Sequence, residues 1–157
     1  MLRRSFVIAL GALGLAGLVH VTADAREALR TDFRTADRMD GAFAMQSSQL
    51  ALTRTSNPDI INFANVEIAE QLQVATMLIA VPGTGPLRPD HGALKQGGDV
   101  FDRMYVQGQI RGHRELLALN GFYIRTGSNP REQEVAQTSR SIIRRHLATL
   151  SSLREIG

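Results

Sequence analysis

Two histidines, His113 and His146, are the side chains of this sequence whose type and position best suit metal chemistry. Neutral imidazole is a common ligand of zinc, copper, nickel and iron ions. Each histidine lies on the apolar stripe of a segment with helical periodicity, so both rings are expected to point between helices. Because the chain has no cysteine, thiolate metal sites, disulfides and cysteine nucleophiles are excluded.

Glutamines hold the matching stripe positions on the two other helical segments, Gln46 on the first and Gln71 on the second. Gln71, His113 and His146 lie 14, 16 and 17 residues from the turns of their own hairpins. At about 1.5 Å per residue, they are therefore expected at similar heights in a bundle. Glu70 would add a third ligand if it turned inward. Two interpretations stay open. One is a small polar pocket that holds a divalent metal, and the other is a structural role, either as a hydrogen-bonded polar layer that fixes helix register or as side chains partly exposed near a bundle end.

Other catalytic and cofactor-binding constellations are missing from the sequence. A di-iron centre in a helical bundle needs Glu-x-x-His on two helices, but Ile110 and Ile143 stand three residues before the two histidines. There is no nucleophile elbow, no phosphate-binding Gly-x-Gly-x-x-Gly before a helix and no His-Glu-x-x-His. The sequence therefore predicts no catalytic residue and no cofactor, with a divalent metal as the one open possibility.

Four helical segments must position these side chains. The first begins at Asp32, a suitable N-cap, and ends at the turn Ser56-Asn57-Pro58, and the second runs from Pro58 to about Ala80. The third covers about 99–125 and the fourth about 130–155. The stripes predicted to face the core are Ala36, Met39, Phe43, Gln46 and Leu50 in the first segment; Ile61, Ala64, Ile68, Gln71, Ala75 and Leu78 in the second; Val106, Ile110, His113, Leu117 and Asn120 in the third; and Val135, Ile142, His146, Leu150 and Leu153 in the fourth.

Two turns of the same kind pair these segments into hairpins. Asn57-Pro58 and Asn129-Pro130 each combine a residue that caps a helix with a proline that fits its first position. Residues 81–98 are rich in proline and glycine and form a longer connection, suited to a crossover. Two hairpins joined in this way predict an all-α four-helix bundle.

The first 25 residues have the pattern of a secretory signal peptide. Arg3 and Arg4 precede an apolar run over residues 6–19, and Ala23-Asp24-Ala25 gives the small-x-small pattern that signal peptidase accepts. The run of about 14 residues is shorter than the roughly 20 that a membrane-spanning helix needs. We therefore predict a signal peptide over residues 1–25 and a four-helix-bundle domain over residues 26–157. The periplasm is the expected location; secretion, association with the outer membrane and retention of the segment as an anchor stay open.

The charge balance argues against a nucleic-acid partner. The chain carries 18 basic and 15 acidic residues, a formal charge of +3, which is typical of a soluble surface rather than of a polyanion binder. Hydrophobic residues make up 43% and aromatic residues 5%, and this balance favours packed helices over a β-sandwich.

Five short motifs lie in order along residues 32–153. They are Leu50-Ala51, Ser56-Asn57-Pro58, Phe63-Ala64, Phe101-Asp102-x-x-Tyr105-Val106 with His113 eight residues after the tyrosine, and His146-Leu147. Together they resemble a bacterial family called domain of unknown function 4142, whose members are described as exported or outer-membrane proteins. The resemblance implies a ferritin-like helical bundle and export, and it implies no activity.

The resemblance also implies a set of polar residues between the helices. That set has a Glu on the first helix, an Asp-His pair on each of the next two, and a His on the fourth. This chain keeps two of its histidines, as His113 and His146. It departs from the set at three places: Ala44 replaces the Glu of the first helix, Glu70-Gln71 replaces the Asp-His pair of the second, and Gly112 replaces the Asp of the third. A ligand role implied by the family is therefore weaker in this chain, with Glu70 as the remaining carboxylate.

Two functions follow as alternatives. The first is a non-enzymatic exported bundle that binds a protein partner, an envelope component or a small ligand, in an envelope or stress-related role. The second is a divalent-metal-binding protein that uses the pair His113 and His146. The orientation of the imidazoles separates them, because rings that face a common point favour the metal and rings that face apart contradict it.

Overall fold

The computed structural model describes residues 23–78 and 98–156, and over these ranges the chain forms four α-helices and no strand. The helices are α1 (Ala23–Arg54), α2 (Pro58–Met77), α3 (Gly98–Thr126) and α4 (Pro130–Ile156). The predicted all-α four-helix bundle is therefore confirmed. The first 22 residues of the predicted signal peptide, and nearly all of the predicted connection over 81–98, lie outside the described residues.

Each of the two predicted turns leads into a helix whose N-terminus is capped. The side-chain oxygen of Asn57 accepts hydrogen bonds from the backbone N–H groups two and three residues later, at 3.0 and 3.4 Å. Asn129 makes the same two bonds at the start of α4, also at 3.0 and 3.4 Å. Pro58 and Pro130 follow the caps, at a position where no backbone N–H is needed. These local interactions fix the two points at which the chain reverses direction.

The contacts between helices define their directions. Phe33 near the start of α1 stacks on Tyr123 near the end of α3, with ring centroids 4.0 Å apart. Farther along α1, the Ser48 hydroxyl bonds to the Tyr105 hydroxyl near the start of α3 at 2.8 Å, so α1 and α3 are antiparallel. α1 packs beside α2 and α3, and α4 packs beside the same two helices. α2 and α3 therefore lie diagonally opposite each other and run in the same direction. α2 ends at one end of the bundle, and α3 begins at the other.

Two apolar clusters fill the ends of the bundle. The first cluster consists of Ala51, Ile60, Phe63, Ala64, Phe101, Tyr105, Val106, Ile110 and Leu150. The second cluster consists of Phe33, Val74, Leu78, Tyr123, Val135, Ala136 and Ile142. Burial of one large apolar side chain contributes about 1.5–3 kcal/mol relative to exposure, so the clusters are a main source of stability. Between them, the helices present polar side chains to one another.

α1 begins earlier than the sequence predicted. It begins at Ala23, nine residues before the expected cap at Asp32. Residues 23–31 read ADAREALRT, in which alanine, arginine, glutamate and leucine favour the helix and no proline or glycine interrupts it. The helix therefore extends on the N-terminal side of Asp32, as far as Ala23.

The stripes predicted for α1 and α2 are shifted around the helix axes relative to the buried faces. The predicted residues that are only half-buried are Ala36, Met39, Gln46, Leu50, Ile61, Ile68 and Ala75. The buried faces instead include Phe33, Asp37, Ala44, Ser48 and Ala51 on α1, and Ile60, Phe63, Glu67, Gln71 and Val74 on α2. Both faces contain small or polar residues, so the spacing of apolar residues points to the wrong side. The stripes of α3 and α4 are buried as predicted, except that Leu117 and Leu153 are half-buried.

Asp37 is a carboxylic acid buried among the polar side chains of the middle, with 5% of its surface exposed. The Asn120 amide donates a hydrogen bond to Asp37 Oδ1 at 3.4 Å. Burial raises the pKa of Asp37 from 3.8 to about 6; the Asn120 bond opposes this increase and the charge of Asp40 adds to it. The folded protein thus binds more protons than the unfolded chain between these values, and stability falls as the pH rises through this window.

Replacing Asp37 with asparagine removes this charge and keeps the shape of the side chain. At about pH 7.5 we expect D37N to increase the free energy of unfolding by up to about 3 kcal/mol, since one pKa unit corresponds to about 1.4 kcal/mol. Near pH 3.5 the difference should vanish, because Asp37 is then largely protonated in both states. Urea unfolding between pH 3.5 and pH 7.5 measures this difference in the free energy of unfolding. D59N, which makes the same chemical change at an exposed aspartate, is the control. A D37N protein that is less stable than the wild type at pH 7.5 would contradict the assignment.

Candidate metal centre

Three potential ligand atoms from three helices converge between the apolar clusters. Glu67 Oε2 of α2 lies 3.1 Å from His113 Nε2 of α3 and 2.7 Å from His146 Nδ1 of α4. The two ring nitrogens lie 3.0 Å apart. The side chains of all three residues are at most 4% exposed. The three atoms therefore face one point in the interior.

Helical periodicity explains why these side chains point inward. Glu67 follows buried Phe63 by one turn and precedes buried Gln71 by one turn. His113 lies between buried Ile110 and Leu116, and His146 lies between buried Ile143 and Leu150. Spacings of three and four residues return to the same helix face, so the apolar neighbours of each ligand carry it into the core.

Contacts on the far sides of the ligands orient them. His113 Nδ1 donates a hydrogen bond to the Gln109 carbonyl oxygen at 2.8 Å, which leaves Nε2 of the neutral ring with a lone pair directed at the centre. Gln71 Nε2 donates to Glu67 Oε1 at 2.9 Å. Partners of this kind fix the tautomer and the orientation of ligands in metal sites.

Glu67 Oε2 is close to both imidazoles but is not aligned with either as a hydrogen-bond acceptor. The atom is fully buried, and among the described residues it has no other hydrogen-bond partner. Distances of 2.7 and 3.1 Å place the carboxylate in range of strong electrostatic attraction to both rings. A buried carboxylate oxygen between two imidazoles is a position at which either a proton on one ring or a bound cation can balance the charge.

The electrostatics of the centre depend on protons. Burial alone would raise the pKa of Glu67, but the charges and contacts of His113 and His146 hold it well below its usual value of 4.5. Burial alone would lower the pKa of His146, but its contacts with Glu67 and Glu70 outweigh this effect and raise the pKa above 6.5. An imidazolium thus compensates the buried carboxylate, and a metal cation would take the place of that proton.

The donor set fits a divalent transition metal. Metal–nitrogen and metal–oxygen bonds in such sites are about 2.0–2.2 Å long, and three atoms separated by 2.7–3.1 Å can all lie at about this distance from one cation. Two imidazoles and one carboxylate suit zinc, iron, cobalt, nickel or copper ions. Calcium and magnesium prefer shells made of oxygen atoms, which this centre does not offer.

The structure brings together most of the site residues considered from the sequence. His113 and His146 face each other as expected, and Gln71 contacts the centre through Glu67. Glu70 is not the third ligand, because its Oε2 contacts the opposite nitrogen of His146, at 2.6 Å. Gln46 is half-buried on α1.

Sequence reasoning missed Glu67, because the predicted stripe of α2 placed Ile68 inside instead. One signal was present: Phe63, Ala64 and Gln71 lie three or four residues from Glu67, and an aromatic residue one turn away is a strong indicator of the core face. Gly41 of α1 supports the same arrangement. A Cβ atom at this position would lie 2.7 Å from Gln71 Oε1, so glycine gives the amide room to hold Glu67.

No family model matches the chain, and neither the search of curated proteins nor the search of solved structures found a match. Among the described helices, none combines the length and the apolar character needed to cross a membrane.

Replacing Glu67 with glutamine tests the buried charge in metal-free protein. The lowered pKa of Glu67 contributes stability above about pH 4.5, and the raised pKa of His146 contributes it below about pH 6.5. We therefore expect E67Q to lose about 3 kcal/mol or more near pH 5.5, the scale for breaking a buried ion pair. The loss should shrink as the pH rises above 6.5 and His146 becomes neutral in the wild type.

Thermal unfolding in the presence of a chelator, measured from pH 4.5 to 8.5, checks this expectation. E134Q makes the same chemical change at an exposed glutamate and should have little effect at any pH. A destabilisation of E67Q that is constant across the range, or that grows above pH 8, would contradict the pairing.

Proposed function

We propose that this chain is a binding protein for a divalent transition-metal ion, with Glu67, His113 and His146 as its ligands. One observation carries the proposal: a fully buried carboxylate oxygen and two imidazole nitrogens, from three different helices, lie 2.7–3.1 Å from one another. Two further contacts support it, since Gln109 and Gln71 hold the remaining polar atoms of His113 and Glu67. A metal ion bound here would also join α2, α3 and α4.

The surroundings of the centre favour retention of a metal over catalysis. Catalytic metal sites keep a coordination position that substrate can reach, whereas each of these ligand side chains is at most 4% exposed. The cavity next to Gln71 has a volume of about 10 Å³, which is close to the space that a single water requires. We therefore assign the centre a storage, buffering or structural role.

We further propose that the chain is exported and that its bundle is of the ferritin-like type. The basic and apolar pattern of residues 1–25 supports a signal peptide. Ferritin-like bundles have one long crossover connection. Support for that type comes from α2 and α3, which run in the same direction and are separated by the 20 residues 78–97. The motifs that resemble domain of unknown function 4142 agree with both proposals, and the periplasm is the expected location.

Thermal melting with and without Zn²⁺ or Co²⁺ tests metal binding. A ligand that binds only the folded state at about 100 times its Kd adds about 2.7 kcal/mol of stability, or roughly 5–10 °C in Tm for a domain of this size. We expect this increase in the wild type and its loss in H113A/H146A and in E67Q. Mg²⁺ should give no increase, because its preferred ligands are oxygen atoms.

E134Q serves as the matched control, because it removes an exposed carboxylate and should keep the whole metal-induced increase. The conservative variant H146Q, which keeps a polar side chain, guards against a loss caused by misfolding. Equal increases in wild type and E67Q would indicate binding elsewhere and would refute the assignment. The absence of any increase would favour the alternative, in which the polar side chains only fix helix register.

Export has its own test. Expression in a Gram-negative host, followed by N-terminal sequencing of the periplasmic fraction, should give a chain that begins at Arg26 or close to it. A substitution of Ala25 by a bulky residue should reduce processing, because signal peptidase requires a small residue at this position. A chain that stays in the cytoplasm with an intact N-terminus would refute the signal peptide.

A further inference from the structure

Glu70 connects the buried centre with the protein surface. Its Oε2 lies 2.6 Å from His146 Nε2, and its Oε1 lies 2.5 Å from a guanidinium nitrogen of Arg145. The side chain of Glu70 is 22% exposed and that of Arg145 is 61% exposed. Glu67, His113 and His146 expose at most 4%. Glu70 is therefore the partly solvated side chain in direct contact with a ligand.

Apolar or amide groups cover the centre along the bundle axis. Toward the first cluster, Phe63 sets its ring edge-on to His146, with centroids 5.3 Å apart. Toward the second cluster, buried Gln71 covers Glu67, and the cavity next to it has a volume of about 10 Å³. A hydrated cation needs more space than that cavity offers. The side between α2 and α4, where Glu70 lies, offers both solvent exposure and a negative charge.

We propose that a cation enters the Glu67–His113–His146 centre at Glu70, and that Arg145 closes this entry between binding events. The inference rests on the proposed function, because it concerns the route to the same ligands. A carboxylate at an entrance attracts a cation and can replace part of its water shell. The guanidinium beside it repels the cation and occupies the carboxylate, so it must move first. Once the cation has passed, Glu70 can contact His146 and Arg145 again.

Such a gate has a kinetic signature. Uptake and release cross the same barrier, so a lower barrier accelerates both and leaves the Kd nearly unchanged. A residue that holds the bound cation behaves differently, because its loss changes the Kd, mainly through the rate of release. The ratio of the two rates therefore separates a gate from a ligand.

R145A tests the gate, and R144A is its matched control. Arg144 is the preceding residue on α4 and is also exposed, so both variants remove one positive charge from the same region. Stopped-flow mixing of the full chain with Zn²⁺ and a chromophoric zinc indicator measures uptake, and mixing the loaded protein with excess chelator measures release. We expect R145A to accelerate both steps about tenfold relative to R144A, with a Kd within about threefold.

E70Q completes the set, because it removes the negative charge at the entrance while keeping the size of the side chain. It should slow uptake about tenfold relative to the wild type. Equal rates in R145A and R144A, with Zn²⁺ bound by both, would overturn the entry route and leave the proposed function standing. A changed Kd of R145A without faster uptake would also overturn it, since Arg145 would then act on the bound state. A wild-type protein that binds no Zn²⁺ would overturn the function and the route together.

Discussion

A carboxylate buried at the centre of the four-helix bundle is the constraint on which the rest of this structure depends. Glu67 is fully buried, and an isolated charge at such a position carries a desolvation penalty of several kcal/mol. It is tolerated because Gln71 Nε2 faces one oxygen and the nitrogens of His113 and His146 face the other. These partners come from α2, α3 and α4. Compensation of one charge therefore fixes three helices at a common height.

The surroundings make this compensation effective. The apolar clusters exclude water from both sides, and electrostatic attraction is stronger in such a medium than in solvent. α1 contributes no ligand to the group, yet it supports the others through close packing. Gly41 leaves room for the Gln71 amide. Ser47 accepts a hydrogen bond at 2.9 Å from the side chain of Gln109, the residue whose backbone carbonyl orients His113. The packing of α1 against the other helices therefore also determines the geometry of the ligands.

The sequence predicts local features of the structure well and the central contact poorly. The Asn57 and Asn129 caps follow from short-range chemistry, and the similar heights of the two histidines follow from counting residues along helices. The buried face of α2 does not follow from apolar spacing. Ile60 is buried and the adjacent Ile61 is only half-buried, so either isoleucine could begin the apolar stripe. Phe63, one turn before Glu67, is a local signal for the inward glutamate, but the contacts that hold this side chain come from α3 and α4, which no pattern in α2 records.

The charge at this position also separates the two interpretations of the polar side chains. A layer that only fixes helix register needs hydrogen-bonding groups, and neutral amides such as Gln71 can supply them without the penalty of a buried ion. Glu67 adds that penalty, which must be offset by the charges that face its Oε2. Register explains Gln71, whereas the charge of Glu67 needs a positively charged partner, either the His146 imidazolium or a cation. A divalent cation between Glu67 and the two imidazoles would offset the penalty by direct coordination. In that case the binding energy of the metal becomes part of the folding energy of the bundle.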